Sequence, residues 1–121
     1  MSMSNISQVL LRNIKILSAN TPLFINLMED GFITHYLNDY SEANITCYNT
    51  NFIDYIAIYD KYKNQIKTLF TSEYKSETKH DLVIINFPKS KEELAFTLAM
   101  IAPYLLPDAK IILVGEKKGG V

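Results

Sequence analysis

The apolar positions of the chain fall into short blocks, some spaced at three and four residues and others alternating or consecutive, and each spacing predicts a different element. Ile6, Val9, Leu10 and Asn13 keep helical spacing after Asn5, which with Gln8 forms a capping pair, so a short leading helix is predicted. Ile14-Lys15-Ile16-Leu17-Ser18 alternates like a strand. Thr21-Pro22 then supplies an N-cap and a proline at the first helical position, which predicts a helix over residues 22–30 ending at Gly31. Leu23 and Leu27, like Phe24 and Met28, stand one turn apart on its expected buried face. Residues 32–43 permit a second short helix.

Ile45-Thr46-Cys47-Tyr48 reads as a second strand, and Asn51 caps a helix in which Phe52, Ile56 and Tyr59 share one face. Residues 66–70 form a third, short strand and residues 71–79 a polar loop. In Asp81-Leu82-Val83-Ile84-Ile85-Asn86-Phe87 the apolar residues are consecutive, the sign of a central strand covered on both faces. Ser90-Lys91-Glu92-Glu93 is a capping box, and Leu94, Leu98, Ile101 and Leu105 mark the buried stripe of the helix it opens, with Pro103 kinking the last turn. Pro107-Asp108 is a turn before a second doubly covered strand, Ile111-Ile112-Leu113-Val114, ending at Gly115. Strands alternating with helices over short connections imply right-handed crossovers and a doubly wound α/β sheet, whose ligands bind beyond the carboxyl ends of the strands. With no repeat or linker in view, residues 1–121 read as one domain.

Composition narrows the setting. At 121 residues, 48% hydrophobic and 21% charged, the chain is an ordinary globular domain. The lone Cys47 and the lack of a signal-peptide pattern favour a cytoplasmic location, and the apolar run 94–106, broken by Thr97 and Pro103, is too short for a membrane span, so no membrane partner is expected. A net charge of −1 excludes a strong positive field, which confines any nucleic-acid contact to a local patch. Lys89 and Lys91 after the fourth strand and Lys117 and Lys118 after the fifth share one rim of a parallel sheet. They read either as phosphate contacts, with Arg12 adding to them, or as a solvated face. His35 and His80 lack spaced partners for a metal and read as structural or exposed. Tyr55, Tyr59 and Tyr62 could stack bases, but their spacing of three and four is read as one helical face packing on the sheet.

Two stretches carry a family resemblance. Ser7-Gln8-Val9-Leu10-Leu11-Arg12 is the first; the second runs over residues 81–121 with Phe87-Pro88-Lys89-Ser90-Lys91-Glu92-Glu93, Leu105-Leu106-Pro107, Leu113-Val114-Gly115-Glu116 and Gly119-Gly120-Val121. In order and spacing they resemble the N-terminal domain of the ribosomal RNA small subunit methyltransferase C family, whereas residues 20–75 match only in hydrophobic pattern. The resemblance implies a Rossmann-like, class I methyltransferase-type doubly wound sheet, mostly parallel and truncated after strand five. It also implies a tandem protein whose C-terminal half binds S-adenosylmethionine and methylates a guanine N2 of 16S-type rRNA. This half would then be a degenerate duplicate, non-catalytic, whose partners are ribosomal RNA or the small ribosomal subunit and the C-terminal catalytic domain.

Two motif comparisons sharpen that expectation. Class I methyltransferases place glycines in the turn after the first strand, where backbone must approach the cofactor. Here that turn is read as Ser18-Ala19-Asn20-Thr21-Pro22, and Asn49, Thr50 and Asn51 stand where an acid should follow the second strand, so no cofactor is expected in this domain. Amino-directed methyltransferases carry Asn-Pro-Pro-aromatic after strand four, and this chain has Asn86-Phe87-Pro88-Lys89, read as a remnant with no catalytic residue. The rival readings are a small stand-alone methyltransferase in which Asn86 still positions an amine, and a Rossmann-like domain with an unrelated ligand. Because methyltransferase sheets continue past the fifth strand with a helix and further strands, residues 111–114 are expected to mediate a homodimer, by pairing of their open edge or by burial of the face that a further helix would cover.

Overall fold

The computed structural model describes residues 3–115. In chain order the elements are helix α1 (Asn5–Arg12), a 3₁₀ turn (Ile14–Leu17), strand β1 (Pro22–Ile25), α2 (Phe32–Asp39), β2 (Thr46–Tyr48), α3 (Phe52–Tyr62), β3 (Lys67–Leu69), β4 (His80–Asn86), α4 (Lys91–Ile101) and β5 (Leu105–Val114). The five strands pair in parallel in the order β3-β2-β1-β4-β5. Side chains alternate across this sheet. Phe24, Cys47, Leu82 and Ile84 meet α1, α2 and α3 on one face, while Leu23, Ile25, Val83 and Ile85 meet α4 on the other. The connection from β3 to β4 covers the α4 face with a loop, pinned by the buried Tyr74, in place of a helix.

The first strand lies further along the chain than the pattern predicts. Residues 14–17 form a 3₁₀ turn rather than a strand, and Pro22–Ile25 is the central strand rather than the start of a helix. The Thr-Pro start signal is consumed by tertiary contacts: the Asp81 carboxylate accepts from Asn20 N at 2.7 Å and Thr21 N at 2.9 Å, and Thr21 Oγ1 donates to the Lys79 carbonyl at 2.8 Å. Pro22 needs no N–H at the first residue of a strand. A buried window of four apolar residues fits strand or helix equally by periodicity, and pairing with both β2 and β4 decides it.

Other differences are smaller. Ser4, not Asn5, caps α1, its Oγ accepting from Ser7 N at 3.2 Å. On α3 the inward residues are Ile58 and Tyr62, so Phe52, Ile56 and Tyr59 do not form the buried face, and of the three tyrosines only Tyr62 is core. Leu105 belongs to β5, opposite His80, rather than to the α4 stripe, and the Pro107-Asp108 segment lies inside that strand as a register irregularity. Leu94, Leu98 and Ile101 do face the second core. Nor is β5 covered on both sides: Ile112 and Val114 pack on the first core, while Ile111 and Leu113, on the α4 face, are 47% and 45% exposed. The helix stripe, the strand pairing β4 and the loop 71–79 agree with the pattern.

Candidate functional site

The sheet order reverses between β1 and β4, and the ends of β1, β2 and β4 converge at that point. Asn26, directly after β1, takes φ 57°, a left-handed conformation that asparagine tolerates. Its Oδ1 accepts from Thr50 N at 2.8 Å and Thr50 Oγ1 at 3.1 Å, and its carbonyl accepts from Asn86 Nδ2 at 3.1 Å. Three strand ends are thereby laced together by their own polar groups. Asn49, after β2, is buried and donates its amide to the Leu27 carbonyl at 3.0 Å.

The turn following β1 is therefore residues 26–31, not 18–22, and it contains Gly31 at φ 99°. Its two acids are both engaged. Glu29 Oε2 accepts from Gly31 N at 3.0 Å and pairs with Lys61 Nζ at 2.9 Å. Asp30 accepts from Ser4 N, Ser7 Oγ and Phe32 N, at 3.0, 2.9 and 3.3 Å. Burial pushes the Asp30 pKa up, but these donors outweigh it and hold the carboxyl below its ordinary value. The first turn of α2 is thus closed by the chain's own carboxylates.

A cleft of about 780 Å³ opens over the carboxyl rim on the α4 face. One wall is Ile25, Asn26 and Thr50; the opposite wall is Glu92 and Phe96 of α4; Phe70 stands at the end beyond β3. Thr71 and Ser72, from the helix-free β3–β4 connection, also line it. Among the described residues its lining includes the carboxylates of Glu92 and Glu93 and no basic side chain, which disfavours a phosphate inside it.

Of the residues singled out by sequence, Asn86 lies at this rim with its amide given to Asn26, Phe87 is exposed with its N–H on Val114 O, and Pro88 lines the cleft. Lys89 and Lys91 stand exposed on either side of Ser90, whose Oγ accepts from Glu93 N at 3.1 Å and opens α4. Lys117 and Lys118 lie outside the described residues. Arg12 is exposed in the last turn of α1, while Ser4 and Ser7, at the start of that helix, contact Asp30.

Sequence reasoning missed the cleft, the Glu29 and Asp30 contacts, and the buried pair His80 and Tyr74. His80 Nε2 lies 2.5 Å from Tyr74 Oη and Nδ1 2.9 Å from the Thr21 carbonyl. Burial lowers the His80 pKa, so the imidazole is held neutral. His35 is exposed on α2. Among the described residues no cluster of His, Cys, Asp and Glu could hold a metal, and no helix is long and apolar enough to cross a membrane.

Comparison with known proteins follows the same lines. The ribosomal RNA small subunit methyltransferase C of Colwellia psychrerythraea is 56% identical over 126 residues, covering 100% of this chain and 35% of that protein. That of Psychromonas ingrahamii is 36% identical, covering 98% and 33%. The chain thus spans about a third of the length of these relatives. Among solved structures, the sugar N-methyltransferase KedS8 of Streptoalloteichus superposes with a TM-score of 0.71 at 11% identity over 98% of this chain and 50% of that one. The N-methyltransferase NodS of Bradyrhizobium japonicum gives 0.69 at 12%, over 88% and 64%. The fold is the Rossmann-like α/β fold of class I methyltransferases. Since the family described as methyltransferase small domain N-terminal matches residues 7–121, nearly the whole chain, this protein belongs to that family.

Proposed function

We propose that this chain is the non-catalytic, rRNA-binding domain of a cytoplasmic, S-adenosylmethionine-dependent 16S rRNA (guanine-N2) methyltransferase, and that it supports the folding of a C-terminal catalytic half that carries the cofactor. The observation that carries this reading is the lacing of Asn26, Thr50 and Asn86, which commits the polar groups at the strand ends to one another. The residues present do not fit the cofactor. A nucleoside would need free backbone N–H groups after β1 and an acid after β2; here Gly31 N and Phe32 N are bonded to Glu29 and Asp30, and Asn49 is a buried amide. The names of the relatives support rRNA as the substrate of the whole protein.

In this reading Lys89 and Lys91, with Lys117 and Lys118, meet phosphates at the rim, and Arg12 makes a further contact. The test is binding of a fluorescent small-subunit rRNA fragment to the full-length protein at several salt concentrations. Replacing the four rim lysines with alanine weakens binding and flattens the log–log salt slope by about 0.7–0.9 for each phosphate that is no longer neutralised. An unaltered slope rejects the rim as an RNA-binding surface. The stand-alone enzyme reading draws on one observation, the cleft beside Asn86. Against it, the Asn86 amide that would hold an amine is already given to Asn26. Exposure of Ile111 and Leu113 on β5 supports pairing of two copies of the chain along that strand.

A further inference from the structure

Residues 70–79, which join β3 to β4, carry no helix or strand of their own and lie as a strap on the α4 face of the sheet. Side chains hold the strap in place. Tyr48 Oη donates to the Thr71 carbonyl at 2.8 Å, Tyr74 N donates to Met100 Sδ at 3.3 Å, and Tyr74 Oη meets His80 Nε2. The Tyr74 ring, 1% exposed, is enclosed by Tyr48, Tyr104 and the imidazole, with centroids 5.3, 5.5 and 5.9 Å away. The charged residues of the strap, Glu73, Lys75, Glu77 and Lys79, are exposed, and Lys75 pairs with Glu73 at 3.5 Å. A segment tied down by one buried side chain belongs to the part of a structure that opens locally, whereas β4 is paired on both sides by β1 and β5.

That buried side chain is tied to a base. The Thr21 carbonyl, 2.9 Å from Nδ1, takes the proton of the neutral ring, so Nε2 is the acceptor for the Tyr74 hydroxyl. A second proton turns Nε2 into a donor against that hydroxyl and puts a charge on a side chain with no exposure. Little around it can hold the charge. Asp81, beside His80 on β4, draws the imidazole pKa up, but its carboxylate is taken by the N–H groups of Asn20 and Thr21, and Lys67 on β3 opposes it. The strap and the segment after α4 bring the phenols of Tyr74 and Tyr104, the β1 side brings the Thr21 carbonyl, and the β5 residue opposite is Leu105. Burial therefore prevails and keeps the pKa below its ordinary value.

We propose that His80 is an acid-sensitive latch: proton uptake by its imidazole breaks the pair with Tyr74 and releases the strap 70–79 from the α4 face while the sheet stays folded. Thr71 and Ser72 leave with the strap, and the part of the cleft wall that they supply goes with them. The latch is independent of the RNA reading, since it uses none of the rim lysines.

Amide exchange of the chain, followed by NMR from pH 7.5 to pH 5.5, tests the latch. The opening constant of the Tyr74 amide exceeds those of residues 82–85 about tenfold or more at every pH, because the strap opens without the sheet. It also rises by up to about tenfold for each pH unit lost between the ordinary imidazole value of 6.5 and the lower folded one, since one proton is taken up on opening. His80→Gln, a polar side chain that takes up no proton, abolishes that rise. Long-range nitrogen spectra of the unaltered imidazole, which need no variant to fold, place the proton on Nδ1 at pH 7.5. If Tyr74 and residues 82–85 open equally throughout, the strap leaves only when the whole domain unfolds and the latch is wrong. A Tyr74 opening constant that stays flat over this range, a rise that persists in His80→Gln, or a ring proton on Nε2 overturns it as well.

Discussion

Replacing Tyr74 with phenylalanine removes one hydroxyl from an enclosed polar pair and leaves the ring packing in place, against Tyr48 at 5.3 Å and Tyr104 at 5.5 Å between centroids. The carbonyl of Thr21 beside Nδ1 can only accept, so the neutral His80 carries its proton there and Nε2 must accept from Tyr74. Both side chains are buried, and no solvent can replace the missing donor without opening the loop. Leaving such an acceptor unsatisfied costs about 1–3 kcal/mol. Urea unfolding at pH 8 should show the midpoint lowered at unchanged slope, and hydrogen exchange of the amides of residues 82–85 should locate the loss in β4, whatever the length of the chain. The pH dependence supplies the check on mechanism. The His80 pKa is lower in the fold than in the unfolded chain, so its contribution is complete above the unfolded value and is lost as pH falls through the folded one. Tyr74 favours the neutral imidazole, so the difference between variant and parent is largest at pH 8 and narrows below pH 6.5. A midpoint change worth less than about 0.5 kcal/mol, or a difference that widens toward acid, refutes the assignment of the hydrogen bond.

Three further outcomes are expected. Calorimetry of this 121-residue chain with millimolar S-adenosylmethionine should be silent, because the turn at residues 26–31 is closed by Glu29 and Asp30; a saturable micromolar heat would reverse the reading. Asn26→Ala removes the acceptor of Thr50 and places alanine at φ 57°, costing about 1–3 kcal/mol in urea unfolding, whereas Asn26→Gly should recover the strain part alone. Sedimentation at rising concentration should show self-association that Leu113→Lys reduces, and a chain that stays monomeric at high micromolar concentration would end the β5 pairing proposal.

What the sequence determined by itself is the class of the fold, its carboxyl rim and the elements whose signals are local. The β4 window holds four consecutive apolar residues, Leu82 to Ile85, and the Ser90 and Asn51 caps act within three residues of themselves, so no distant partner was needed to read them. The position of β1 was not legible in this way. Thr21-Pro22 carries a genuine helix-start signal, and only Asp81, sixty residues on, takes up the N–H groups of Asn20 and Thr21 and frees the next four residues to pair on both sides. That shift moved the cofactor turn from residues 18–22 to 26–31 and brought Gly31 into it. The outward facing of Phe52 and Tyr59 was likewise undecided, because a helix with apolar residues on several sides does not state which side meets the sheet. The cleft and the lacing of Asn26, Thr50 and Asn86 join residues far apart in the chain, and only the tertiary structure, through the convergence of three strand ends, could bring them together.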